Sequence, residues 1–410
     1  MSRPTPPPRR LSIGLFTYST LPRGSVVHTA ALADALVDAG HDVTVYALDK
    51  DGRGFFRPLR ARLRLVPASP APESTAALVR RRAGELASFL VRRAPAHDVH
   101  HAEDCLSASG LLAARLHGHA LTLVRTVHHV EDFTDPFLAA CQTRSVREAD
   151  LCLTVSEAAR RDVRRQFGVD GAVVGNGVDV ARLRRRSAAR RQAWRARLGG
   201  RRPLVLAVGG VEERKNTLCT LAAFARLRAR WPDAQLVILG GATVLDHGAY
   251  RAVFDRARAA LPPAARAAVV ELGVVADDDV PALLQLADVM ALPSLHEGFG
   301  LAALEALAVG LPLVASARPP FTEYLDSRCA VLVDPRSEAA VAAGLDQALR
   351  PSPARRRAGR RVAEAHSWSG VAARHVAAYQ SLARLRTHPP LFSAAPAAAA
   401  AAPYPTASTP

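Results

Sequence analysis

Lysine is almost missing from this chain. Of 54 lysine plus arginine residues only Lys50 and Lys215 are lysine, which leaves 52 arginines. Cysteine is scarce as well: Cys105, Cys141, Cys152, Cys219 and Cys329 are odd in number and form no CxxC pair. That count and spacing indicate neither a disulfide framework nor a zinc site, and they fit a reducing, cytoplasmic setting. Aromatic residues make up 5%, and neither zinc-finger spacing nor an aromatic-rich RNA-reading run occurs. The formal charge of +17 therefore implies attraction to polyanions, anionic membranes and phosphorylated ligands without specific nucleic-acid binding. Both phosphate-loop signatures, GxxxxGK[ST] and a first-turn GxGxxG, are absent. The basic start MSRPTPPPRR leads into LSIGLFTYS, too short and polar for a signal peptide, so a first strand is expected there. The apolar run Phe299–Ser316 is interrupted by Glu305, Gly310 and Pro312, which divide it into helix, stop and strand.

What is present is a chain of 410 residues with 49% hydrophobic content, more than one core usually holds. LSIGLF, HDVTVYAL, LRLVPA, ALTLVRTV and DLCLTVS read as buried-type strands alternating with helices. The helix VVHTAALADALVDAG carries Val27, Ala31, Leu32, Ala35 and Leu36 at helical spacing and stops at Gly40. The pattern resets after a basic stretch, then resumes with LVLAVGG, AQLVILGG, AAVVELGVV, DVMALPS, LPLVAS and AVLVD. The expected organisation is a flexible start (1–10), a first doubly wound α/β domain (11–180), a basic linker (181–202) and a second such domain (203–365). A C-terminal helix (366–386) and a disordered Pro/Ala tail (387–410) follow.

SLHEGFGLAALEALAVGLPLVAS, residues 294–316, sets two carboxylates in an apolar stretch. DVMALP is a strand, SLHEGFG the turn at its carboxyl end, and Leu301 to about Val309 a helix with Leu304 and Leu307 inward. Open α/β sheets bind ligands at such strand ends, so Glu297 on the turn and Glu305 in the helix face one crevice. On spacing alone, a glycine turn before a helix and a glutamate on a solvated helix face explain the same residues equally well. A second constellation lies in LVLAVGGVEERKNT, where Arg214 and Lys215 follow a strand and precede a helix. Arginine offers a bidentate phosphate contact and lysine a compact charge, a plausible diphosphate clamp.

Together these motifs resemble the retaining, nucleotide-sugar-dependent glycosyltransferases of family 4, the group 1 transferases with the GT-B fold. HEGFGLAALE, a Glu-x7-Glu block, is the most specific match. GHDVTVY, TVHH, LTVSEAARRDV, VVGNGVDVARL, ERKN and LGVVADDDVPALLQLADVMALPS support it in order across roughly residues 11–385. The resemblance implies two Rossmann-like domains facing a central cleft, and transfer of a sugar from a nucleotide-diphosphate sugar to a hydroxyl acceptor with retention of configuration. It implies that Glu297 contacts the donor sugar and stabilises the transition state. Gly298, Phe299 and Gly300 hold sugar hydroxyls and phosphate, Glu305 accepts from the ribose, and Arg214 and Lys215 neutralise the leaving diphosphate in place of a metal. Val274 and Val275 pack the base, Gly24 and Ser25 approach donor phosphate and acceptor, and His128 faces the donor sugar. By itself His128, like His129, reads as a polar loop residue after a strand. No cofactor and no essential metal are expected, while peripheral contact with an anionic membrane through the arginines is.

Three positions depart from the family. Gly209-Gly210 replaces the usual Gly-Arg, Gly175 stands where proline is common, and PRGS has one glycine where two are usual. The alternatives are a catalytically idle sugar-nucleotide or polyanion binder and a GT-B epimerase. A phosphorylase-like enzyme is disfavoured, because this sequence has no lysine placed to carry pyridoxal phosphate.

Overall fold

The computed structural model describes residues 9–69, 74–93, 95–241 and 248–387. Residues 1–8 of the expected flexible start, and the Pro/Ala tail from 388 on, lie outside the described residues. The chain divides into two compact units. The first runs to Val155 and takes in Ala159–Val174 and the segment from Ser369; the second comprises Ser156–Ala158 and Gly175–Trp368.

The first unit holds a parallel sheet of β1 (Ser12–Thr17), β2 (Asp42–Asp49), β3 (Arg62–Pro67), β4 (Val99–Ala102), β5 (Leu123–Val127), β6 (Leu151–Thr154) and β7 (Ala172–Val173). The order is β3-β2-β1-β4-β5-β6-β7. Ile13 of β1 pairs with Val43 on one side and Val99 on the other, so the order reverses between β1 and β4, the place where such sheets bind ligands. Two strands, β4 and β7, escape the apolar pattern: β4 reads Val-His-His-Ala, and β7 has two residues. The expectation that LRLVPA is a buried strand is corrected. β3 is an edge strand, with only Val66 of its six residues buried, because among the described residues no strand pairs with its outer side. The first helix, Gly24–Asp38, buries Leu32, Ala35 and Leu36 of the expected positions, together with Val26, His28, Thr29, Ala30, Ala33 and Asp34, while Val27 and Ala31 are only half-buried.

In the second unit all six expected strands form: β8 (Leu204–Val208), β9 (Gln235–Leu239), β10 (Val269–Gly273), β11 (Val289–Leu292), β12 (Leu313–Ser316) and β13 (Val331–Val333). Their order, β10-β9-β8-β11-β12-β13, reverses between β8 and β11. Every pairing is parallel, and the strands are apolar because helices cover both faces. Phe224 and Phe254 are fully buried against Val205, Leu236 and Ile238, contributing about 2–3 kcal/mol each by transfer from water. Helix Leu301–Val309 begins after Gly300 (φ 92°) and ends at Gly310 (φ 74°), with Leu304 and Leu307 buried.

The basic stretch expected as a linker lies inside the second unit as helices Val180–Arg184 and Ala188–Arg197. Trp194 is buried, and Arg182, Arg190 and Arg202 pair with Asp277, Asp279 and Asp288. A buried tryptophan and paired arginines anchor the stretch where charge alone suggested a solvated connection.

Candidate functional site

In the second unit the carboxyl ends of the two central strands carry the charged residues. Beyond β8, Gly209 (φ 121°) and Gly210 (φ 78°) turn the chain. A Cβ at Gly209 would meet the aliphatic part of Lys215 at 2.6 Å, so only glycine lets that lysine lie across the turn. Asn216 adopts the left-handed conformation (φ 59°) and donates from Nδ2 to the carbonyls of Pro293 (3.0 Å) and Pro335 (2.6 Å). Leu295 N–H donates to the Arg214 carbonyl at 2.9 Å. These bonds fasten the β8 turn to the β11 turn and bring Arg214, Lys215 and Glu297 together.

Glu297, its side chain 7% exposed, accepts from Lys215 Nζ (2.6 Å), Ser294 Oγ (2.9 Å) and Arg214 Nη1 (3.1 Å). Burial alone would push this carboxyl up. The Lys215 and Arg214 charges, with hydrogen bonds from Lys215 and Ser294, override it and hold the pKa at about 2. Glu297 is therefore an anion at any physiological pH. Arg214 also reaches the buried Glu212 at 3.3 Å, so the expected cation pair stands between two carboxylates.

Phe299 stacks on Tyr324 (4.8 Å between centroids, 8° between planes), and the Tyr324 hydroxyl donates to the Phe299 carbonyl at 2.9 Å. At Gly300 a Cβ would collide with Phe321. Phe321 and Tyr324 thus brace the glycine turn from behind. Glu305 is half-buried; burial pushes its carboxyl up, Arg182 opposes this and Asp277 adds to it. Val274 is 57% exposed on the loop after β10 and Val275 half-buried, an apolar platform of the kind a planar ring covers.

The first unit has its own polar cluster, again past the carboxyl ends of central strands. Glu103 follows β4 and His128 follows β5. His128 Nε2 lies 2.9 Å from Glu103 Oε2, and His28 Nε2, from the first helix, lies 3.7 Å from the same oxygen. Behind them His101 bonds Thr126 Oγ1 and the Tyr379 hydroxyl, each at 2.7 Å. His375 bonds the Val371 carbonyl at 2.9 Å. Burial, followed by neighbouring positive charge, pushes the imidazoles of His101, His128 and His375 down, His375 to about 3, while burial pushes the Glu103 carboxyl up. Among the described residues His28, Glu103 and His128 alone group three donor atoms of metal-ligating type, all within 4.8 Å; the 2.9 Å contact is a hydrogen-bonded pair. Gly24 is exposed and Ser25 half-buried at the start of the first helix, whose N-cap residue Arg23 makes no side-chain cap bond. His129 pairs with Glu131 at 2.6 Å on the surface, the polar-loop role expected of it.

Sequence reasoning missed Glu103, His28, His101 and His375 in the first unit, and Ser294, Glu212, Phe321 and Tyr324 in the second. One signal was available: alternation of strand and helix demands a strand between helices Thr75–Arg93 and Cys105–Leu116, and only VHHA can supply it.

With this geometry in view, the family is plain. The pattern described as "Glycosyl transferases group 1" matches residues 189–365, and that of "Glycosyltransferase Family 4" matches residues 22–182. Over 331 residues the chain is 30% identical to the MMP alpha-(1->4)-mannosyltransferase of Mycolicibacterium hassiacum, covering 72% of this chain and 73% of that protein. It is 32% identical over 250 residues to the GDP-mannose-dependent alpha-(1-6)-phosphatidylinositol dimannoside mannosyltransferase of Mycobacterium tuberculosis, covering 60% of this chain and 62% of that relative's length. The crystal structure of Anabaena HepE in complex with UDP and glucose superposes with a TM-score of 0.69 at 19% identity, covering 92% of this chain and all of that one. The chain belongs to the family 4, group 1 glycosyltransferases, and its fold is GT-B. No helix among the described residues is long and apolar enough to cross a membrane.

Proposed function

We propose that this protein transfers a sugar from a nucleotide-diphosphate sugar to a hydroxyl acceptor with retention of anomeric configuration. One observation carries the reading: the buried carboxylate of Glu297, held ionised by Lys215 and Arg214 at the reversal point of the second sheet. A fixed anion beside the anomeric carbon stabilises the positive charge that develops as the glycosidic bond breaks, and two adjacent cations stabilise the departing diphosphate. Both charges are preorganised, so the protein does not reorganise when they are needed. Gly298, Phe299 and Gly300 are proposed to hold the sugar and phosphate, Glu305 the ribose, and Val274 and Val275 the base. His128, with Gly24 and Ser25, is assigned to the donor and acceptor from the first unit.

Because Arg214 and Lys215 supply the compensating charge, the reaction is proposed to proceed without an essential divalent metal. A reducing, cytoplasmic location rests on five free cysteines, and a peripheral contact with anionic lipid rests on the net charge of +17. Flotation with anionic vesicles at low salt tests the latter: protein left in the soluble fraction counts against it.

The functional test is a panel of nucleotide sugars screened first by thermal shift, since a bound donor stabilises the folded state by RT ln(1 + [L]/Kd) and raises the unfolding temperature more the tighter it binds. A stabilising donor is then offered with candidate acceptors, and the anomeric configuration of the product is read by NMR. Stabilisation by one donor class and a product of unchanged configuration support the proposal. No stabilisation across the panel, or an inverted product, overturns it.

A further inference from the structure

We infer that Glu103 is a positioning residue for His128: its carboxylate accepts the Nε2–H of the imidazole, fixing ring orientation and tautomer and leaving Nδ1 as the ring nitrogen open to a ligand. The inference deepens the proposed function, because it rests on His128 serving the donor sugar.

Glu103 is 1% exposed, and taking a carboxylate out of water costs several kcal/mol unless hydrogen bonds and charges compensate. Little compensates here. Oε2 takes the His128 bond at 2.9 Å, whereas Oε1 is buried without a hydrogen-bond partner. The imidazole near it, His101 Nε2, is 3.8 Å away and already bonded to Thr126. A buried carboxylate that satisfies itself so poorly is not there for stability, and such an exception asks for another reason. The contact with His128 supplies it. In a neutral imidazole one nitrogen donates and the other accepts, so a partner at one nitrogen decides the role of the other.

The backbone holds Glu103 firmly in place for this task. Its N–H donates to the Phe16 carbonyl at 3.0 Å, carrying the β1–β4 pairing one residue beyond the strand. The next residue, Asp104, caps helix Cys105–Leu116 through the Ser107 N–H at 2.7 Å and accepts from the Tyr18 N–H at 3.0 Å. On its other side His128 meets the edge of the His28 ring, 4.8 Å between centroids. The titratable or charged groups around the pair include His28, His101, Arg125, His129, His375 and Tyr379. The His128 side chain is itself 13% exposed, so the ring is anchored at its buried nitrogen and still reaches the surface.

The test combines a tautomer measurement with kinetics. Two-bond 1H–15N correlation on labelled protein, with His128 assigned by its loss in His128→Asn, is expected to show a protonated Nε2 and a bare Nδ1. Glu103→Leu keeps the volume, removes the acceptor and relieves the desolvation cost. It is expected to fold, to populate both tautomers, and to lower kcat by about 10²-fold while the donor KM moves by less than about threefold. Glu103→Gln, which keeps a carbonyl acceptor, is expected to recover much of that loss. A bare Nε2 in the intact protein overturns the inference without any variant, and so does a Glu103→Leu protein with unchanged tautomer and kcat. If His128→Asn transferred sugar normally, the role given to His128 would fall, while Nε2 protonation would still decide the Glu103 contact.

Discussion

Each of the two sheets ends in a buried polar site, and the two sites handle charge in opposite ways. The second unit buries a formal ion cluster, with Glu297 held ionised by Lys215 and Arg214. The first unit buries His28, His101 and His375 around Glu103, with the 13%-exposed His128 beside them, and burial drives those imidazoles with resolved shifts, and the carboxyl, toward their uncharged forms. The same strand-order reversal thus serves two chemistries. One holds fixed opposite charges; the other holds directed hydrogen bonds among imidazoles and one carboxyl.

Breaking the ion cluster has the largest expected effect. Lys215→Ala leaves Glu297 buried with Arg214 and Ser294 only, so donor turnover is expected to fall about 10²-fold or more. Unfolding free energy is expected to drop by about 2–3 kcal/mol, measured by denaturant titration. The matching change in the first unit, Thr126→Val, removes one partner of His101 and is expected to cost about 1 kcal/mol.

Acid separates the sites next. His101, His128 and His375 have folded pKa values below the ordinary 6.5. The stability they allow is present above pH 6.5 and is lost as pH falls below it, by about 1.4 kcal/mol per pH unit for each histidine. Glu103, raised by burial, takes up a proton as pH falls and offsets one of them. Glu297, depressed from 4.5 to about 2, contributes stability above pH 4.5 that is lost only as pH falls toward 2. All three tryptophans, Trp194, Trp231 and Trp368, lie in the second unit. Between pH 6.5 and 4.5, far-UV circular dichroism is expected to report loosening while tryptophan emission holds. Emission that changed first would reverse the comparison.

Gly300→Ala places a Cβ against Phe321 at a positive φ, with an expected cost of about 1–3 kcal/mol and a higher donor KM, read by kinetics and melting together. The smallest expected effect is that of a chelator. Transfer measured with and without EDTA is expected to agree within about twofold, because the proposal gives the cation pair the work a metal would do.

The two sites also differed in how far the sequence disclosed them. HEGFGLAALE and ERKN could be read because glycine, a lone lysine and carboxylates stand out against apolar strands and an arginine background, and because helix and strand there follow simple apolar spacing. Gly300, Gly310 and the helix between them fall where that spacing puts them. His-His in β4 hid the strand that carries Glu103, since buried histidines mimic a polar loop until their partners Thr126 and Tyr379 are known. Tyr379 is 278 residues from His101, and no local pattern announces such a bond. The linker reading failed for a related reason: the aspartates that pair Arg182 and Arg190 lie near residue 278, far along the chain.

In the proposed reaction ionised Glu297 serves the transition state. The most direct test is donor turnover by Glu297→Gln with donor affinity measured alongside by calorimetry. Nucleoside diphosphate release is expected to fall about 10³-fold with affinity changed less than about tenfold. Undiminished release by this variant would contradict it.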